Sequence, residues 1–332
     1  MKMVSILNKR SVRALLLLGA LVLLATMVDP PPPPPEPGAA FASVTATPVA
    51  LDAADPARSR AGQLVFLRGW DLNSEEPRFG GISAMQVEGE RVTAISDAGV
   101  LFAFPLPRRP GRLPLQLRPL DPSGDEGDKG SRDTESMLFF GGSAWFGLER
   151  QNAVIRYRRS DWRRESDAQP RAMRDWRGNS GPEAMVRLRD GRFLVFSEGR
   201  DDGAAFSDVV LFAGDPADPA TSATRLRYRR LPAFRVTDAA LLPDGRVLVL
   251  NRRFTLLEGV AAKLAVVEIA GLGEGATLEP RGIADLRPPL TVDNMEALSV
   301  AQEGGRTIVR IASDDNFMAL QRTLLLEFEL RE

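Results

Sequence analysis

The sequence predicts an all-β chain whose main domain is a β-propeller, and three observations carry that reading. A pattern recurs about every fifty residues, the spacing of a propeller blade. Each recurrence is a pair of short apolar runs split by a glycine turn. No long amphipathic helical stretch interrupts them. The domain is expected over residues 62–332, behind a hydrophobic signal peptide or membrane anchor at 1–28 and a Pro-rich disordered linker at 29–61.

In chain order, the N-terminus has Lys2, Lys9, Arg10 and Arg13 and then an apolar run from Ala14 to Val28. A basic region followed by such a run is the pattern of an export signal. It is shorter than the roughly 20 residues of a typical spanning helix. Pro30 to Pro35 follow and favour an extended polyproline spacer. A small-residue cleavage motif stands at Ala40-Phe41-Ala42. The expected location is periplasmic or exported, cleaved or held at the inner membrane by residues 14–28.

The five repeated segments are Ile82-Ser83-Ala84-Met85, Thr134-Glu135-Ser136-Met137, Pro182-Glu183-Ala184-Met185, Thr237-Asp238-Ala239-Ala240 and Met295-Glu296-Ala297-Leu298. Their second place is acidic except at Ser83, the third is Ala or Ser, and the fourth is apolar. Turns follow at Glu88-Gly89, Gly141-Gly142, Asp190-Gly191, Asp244-Gly245 and Gly304-Gly305. The second strands then end on Asp97, Glu149, Glu198, Asn251 and Asp314. Small residues suit innermost strands, which converge on a propeller's axis. The count is five blades, or six if one unit has lost its pattern; two β-sandwiches are the alternative architecture. Gln63–Leu67 is expected to pair with Thr323–Phe328 and close the ring.

The chemistry is bounded by absences. The chain has no histidine and no cysteine, which removes the serine and cysteine triads, zinc sites built on imidazole or thiolate, and disulfides. No nucleotide-binding fingerprint is present. A net charge of −1 gives no reason to expect nucleic acid. What remains is carboxylate, hydroxyl, amide and arginine chemistry, with an oxygen-ligated Ca²⁺, Mg²⁺ or Mn²⁺ ion as the fitting cofactor. If the repeats align, Glu135, Glu183, Asp238 and Glu296 face one another around the channel. Such carboxylates need a cation or arginines beside them.

The expected metal ligands are therefore Glu135, Glu183, Asp238, Glu296 and the turn Asp314-Asp315-Asn316, with Glu135, Glu183 and Glu296 as catalytic carboxylates. Arg150, Arg200, Arg252, Arg253 and Arg322 are the expected contacts to a small anionic ester. The acidic run Asp125-Glu126-Gly127-Asp128 lacks the spacing of a calcium-binding EF-hand and reads as a solvated loop.

These residues resemble the bacterial phytase-like family, often labelled esterase-like activity of phytase. The strongest pieces are Asp293-Asn294-Met295-Glu296-Ala297-Leu298, Ser313-Asp314-Asp315-Asn316-Phe317 and Leu320-Gln321-Arg322-Thr323. Gly80-Gly81-Ile82-Ser83, Ile95-Ser96-Asp97, Gly181-Pro182-Glu183-Ala184 and Ser197-Glu198-Gly199 support them. The resemblance implies a propeller in the cell envelope and hydrolysis of a phosphate or carboxylic ester. Ser83 and Asn251-Arg252 depart from the acidic columns. The alternative is a non-catalytic propeller that binds a ligand or partner protein on the same face.

Overall fold

The computed structural model describes residues 40–120, 133–177, 180–199, 203–255 and 258–331. The hydrophobic segment, the proline tract, the acidic run and Arg200 lie outside the described residues. The described chain is all-β, with one short 3-10 turn at Arg171–Met173.

Three strands come first: β1 (Ala40–Pro48), β2 (Arg60–Ala61) and β3 (Leu64–Asn73). A first unit holds β4 (Ile82–Glu88), β5 (Arg91–Ser96), β6 (Val100–Pro105) and β7 (Gly111–Pro119). The second holds β8 (Thr134–Phe140), β9 (Ser143–Leu148), β10 (Ala153–Arg158) and β11 (Arg163–Ala168). The third holds β12 (Pro182–Arg187), β13 (Phe193–Ser197), β14 (Phe206–Phe212) and β15 (Ala223–Arg229). The fourth holds β16 (Arg235–Leu241), β17 (Val247–Thr255) and β18 (Gly259–Val267). It ends, after the short β19 (Thr277–Leu278), with β20 (Arg281–Leu286). The last unit is β21 (Asn294–Glu303), β22 (Arg306–Asp314) and β23 (Thr323–Leu330).

Neighbouring strands within each unit are antiparallel, and each expected turn between first and second strands holds a glycine of positive φ. That conformation suits glycine because it lacks a Cβ. The last unit takes its outer strand from the other end of the chain. β3 pairs with β23, with Leu64 opposite Leu330 and Phe66 opposite Phe328, so the expected closure is present.

The core lies between units rather than inside one. Ile95 packs with Met137 and Phe146, Trp145 with Met185 and Phe193, and Phe196 with Val247 and Val249. Leu248 and Leu264 meet Leu298 and Leu324, and Met85 meets Ala297 and Leu325 back at the start. Each unit thus buries both faces, which is why its middle strands read as unbroken apolar runs such as Phe193–Phe196. The arrangement is propeller-like.

One expectation is corrected. Residues 40–61 are not a disordered linker, because β1 joins the sheet between the last and first units. Val44 pairs with Leu113 of β7 and Thr45 with Asn73 of β3, uniting the two units in one ten-stranded sheet. Val44 and Ala46 face the core while Thr45 and Thr47 face solvent, a period-two pattern too short to stand out from its polar surroundings. β1 also covers two edges that would otherwise be open to other strands. Ala40-Phe41-Ala42, read as a cleavage motif, forms its first residues.

Candidate functional site

The site is built from a bulge repeated in each inner strand. Where β4, β8, β12, β16 and β21 pair with the strand that follows, one residue is skipped. The skipped residues are Ser83, Glu135, Glu183, Thr237 and Glu296. A bulge bends the strand and re-aims the extra side chain. The residue opposite the start of each bulge is followed by Asp97, Glu149, Glu198, Arg252 and Asp314.

This register corrects the fourth repeat by one residue. Asp238 lies opposite Leu250, as Ala84 lies opposite Ile95 and Ala184 opposite Phe196. It occupies the small-residue position, and Thr237 holds the bulge. The Asp238 carboxylate accepts the N–H groups of Leu298 at 2.6 Å and Ala239 at 2.7 Å, which ties β16 to β21. Burial pushes its carboxyl well above the usual range against those two donors. Asp238 is therefore an inter-strand clamp.

Apart from Thr237, the bulge residues and the five that follow the bulge partners line one cavity of about 220 Å³. Its walls carry Asp97, Glu135, Glu149, Glu183, Glu198, Glu296 and Asp314, with Ser83, Gly81, Asn294 and Asn316. Arg252 is its one cation among the described residues. Within this acidic cup, Arg252 serves one side. It contacts Glu296 at 3.0 Å, Glu198 at 3.4 Å and the Asn294 Oδ1 at 2.7 Å. Arg235 reaches Glu198 from behind at 3.1 Å.

The opposite side is different. One oxygen each from Asp133, Glu135 and Glu149 lie within 4.8 Å of one another. Oxygens bound to a common Ca²⁺ at about 2.4 Å are separated by at most about 4.8 Å, so the three fit one hard cation. Among the described residues no ion pair reaches Glu135 or Glu183.

Crowding is visible in the acidities. Burial first, then Asp133 and Glu149, hold the Glu135 carboxyl well above its ordinary range. Burial and then Glu135 and Glu198 do the same to Glu183. Glu149 is pushed up to about 7 by burial and Asp133. Glu296 is also pushed up to about 7, mainly by burial, with Arg252 opposing. Asp314 is raised by burial and by Glu296.

Several expected contacts lie elsewhere. Asp315 accepts from the Gly81 N–H at 3.0 Å, the Phe317 N–H at 3.1 Å and the Thr323 hydroxyl at 2.9 Å, a latch behind the cavity wall. Asn316 is at the exposed rim. Arg150 is exposed and binds Asp133 at 2.8 Å, outside the lining. Arg253 pairs with Glu258 and stacks over Phe234. Arg322 lies by Asp293, its N–H donating at 3.1 Å. Only Arg252 of the described expected arginines faces the cavity, because it alone occupies the second column.

Asp97, Glu149 and Glu198 were legible as a column but were not expected as site residues; Asp133 and Asn294 carried no repeat signal. Gly181 keeps the second and third units in contact here. A Cβ on it would stand 2.3 Å from the Cα of Glu149.

A propeller-like all-β protein with a carboxylate-lined cavity on its axis is the class that fold and site define. Within that class, the chain belongs to the phytase-like family described as esterase-like activity of phytase, which matches residues 77–317. No curated protein matches the chain in sequence. Among solved structures it is similar to Myxococcus xanthus glutaminyl cyclase at 10% identity and a TM-score of 0.45, over 81% of this chain and 97% of that one. It is also similar to the major Malassezia sympodialis allergen Mala s 1 at 12% identity and a TM-score of 0.42, over 82% and 91%.

Proposed function

We propose that the chain is an exported five-bladed propeller that hydrolyses a small phosphate or carboxylic ester with a divalent cation held in the acidic cup. The convergence of Asp133, Glu135 and Glu149 carries the proposal. The family description supports ester chemistry, and the five inter-unit cores support five blades. The basic and apolar N-terminal run supports export.

Asp133, Glu135 and Glu149 would hold the ion, with Glu183, Asp97 and Asp314 in reach of the same cavity. A bound Ca²⁺, Mg²⁺ or Mn²⁺ ion supplies Lewis-acid polarisation of the ester and acidifies water. Glu296, whose carboxyl burial pushes up to about 7 in the metal-free cup, would take a proton from water. The Arg252 guanidinium faces the cavity and steadies negative charge developing on the ester oxygen. Glu198 and Asn294 fix its orientation.

A second reading is a non-catalytic propeller that binds a ligand or partner on this face. The pairing of Arg252 with both Glu198 and Glu296 favours it, since those two acids already have their counter-charge.

Metal analysis of the purified protein, melts with and without chelator, and turnover of a panel of both ester types test the proposal. A stoichiometric divalent ion, a melting temperature lowered by chelator and cation-dependent turnover are expected. No metal together with no shift would remove the mechanism; a metal without turnover would leave the binding reading.

A further inference from the structure

A second cleft, of about 360 Å³, opens on the side of the molecule between the first and second units. Blades fan outward from the axis, so the gap between neighbours widens with radius and must be filled or covered. Four of the gaps carry a covering segment. β1 lies over the last and first units, and the turn at Arg171–Met173 with Trp176 covers the second and third. β19 pairs with β15 beside the fourth, and Leu51 with the Asp52–Leu290 bridge covers the fourth and last. The gap between the first and second units has no such cover among the described residues.

Its lining joins cationic and apolar groups. Arg91, Arg118 and Arg159 stand around Leu101, Phe139 and Trp162, and among the described residues no carboxylate lines the cleft. Arg159 lies 4.3 Å over the Phe139 ring and is paired at its far side with Glu88; Arg91 donates to Gln116. Among the described residues no ion pair or hydrogen bond reaches the Arg118 guanidinium. Trp162 has a φ of 57°, a conformation unusual for a bulky side chain, and its ring packs near Phe139 and Phe146 as one end of the cleft. Guanidinium groups bind phosphate and carboxylate through paired donors, and aromatic walls take a flat apolar body.

We infer that this cleft binds a small aryl anion, its phosphoryl or carboxylate group on Arg118 and Arg91 and its ring against Phe139 and Trp162. The site is separate from the acidic cup and needs no metal. Calorimetric titration of the full chain in chelator tests it with phenylphosphonate, which has no ester to cleave, and with phenylacetate and inorganic phosphate. Saturable one-to-one binding of phenylphosphonate is expected, weakened at least tenfold in Arg118→Gln and unchanged in Glu135→Gln. Inorganic phosphate should bind more weakly than phenylphosphonate, since it gains nothing from the rings. Binding of phenylacetate as well would assign the site to aryl anions of both kinds; its failure would restrict the site to phosphoryl groups. No saturable binding of either aryl probe, equal affinity in Arg118→Gln, or inorganic phosphate binding as tightly would overturn the inference. A melt of each variant confirms that it is folded.

Discussion

Glu149 and Glu296 hold their protons to about pH 7, whereas an unfolded glutamate releases its proton near 4.5. Between those values the native state binds more protons than the unfolded one, so stability falls as pH rises. In chelator, the melting temperature should therefore drop from pH 5 to pH 8, and Glu149→Gln should flatten that slope. Saturating Ca²⁺ competes with the protons and should raise the melting temperature more at pH 8 than at pH 5. Scanning fluorimetry across pH reads both effects; a melting temperature that rises with pH in chelator would contradict the acidities. Glu183→Gln removes a buried carboxyl whose ionisation burial and the neighbouring acids oppose. It should stabilise the chelated protein at pH 8, by about 2–4 °C for each kcal/mol gained, while shrinking the stabilisation that Ca²⁺ brings.

At the scale of elements, the bulge and the bridging strand decide most. Asp238 shows what one residue of register means: it clamps β21 while its neighbour Thr237 donates from its hydroxyl to the Met295 carbonyl at 3.1 Å. Asp238→Ala strands the Leu298 N–H and should cost about 1–3 kcal/mol, read by urea unfolding, without changing cation affinity. A change in cation affinity would place Asp238 in the cup after all. β1 makes a different prediction. A chain beginning at Ala40 should melt like the full protein, whereas one beginning at Gly62 bares the edges of β3 and β7. That shorter chain should melt lower and aggregate, measured by light scattering during the melt. Equal behaviour of the two would mean that β1 contributes nothing to closure.

The whole molecule depends on closing the ring with its own two ends. The β3–β23 pairing carries a buried charge cluster at this seam. Arg310, fully buried on β22, donates to Glu327 at 2.6 Å and to Glu303 at 2.7 Å, and Arg68 of β3 reaches Glu327 at 2.8 Å. Removing one partner from a buried pair leaves the other charge desolvated, at a cost of about 3–5 kcal/mol. Glu327→Gln should therefore lower unfolding free energy far more than any substitution in the exposed pair Arg229–Glu279. Denaturant unfolding of both variants measures the contrast, and equal losses would show that the seam is not where closure is held.

What the sequence determined by itself is what local chemistry writes at every repeat. Alternating and apolar runs split by glycine turns specify paired strands, and their recurrence about every fifty residues specifies stacked units. The closing run before Leu67 was readable for the same reason. So were the two polar columns, and the lack of His and Cys confined the site to oxygen ligands. The tertiary structure alone decided which polar residues meet. A bulge adds one residue and turns every later side chain to the other face, so Thr237 and Asp238 exchanged roles although Asp238 matched the written pattern. The same register put Arg252 among the acids and left Arg253 and Arg322 outside. Asp133 was hidden because no other repeat carries an acid at that place, although it meets Glu149 across the local β8–β9 pair, and β1 was hidden because it finds β7 some seventy residues later. The brief alternation at Val44–Thr47 marks a strand but does not name its partner, because the register of β1 is set by the edges it must cover.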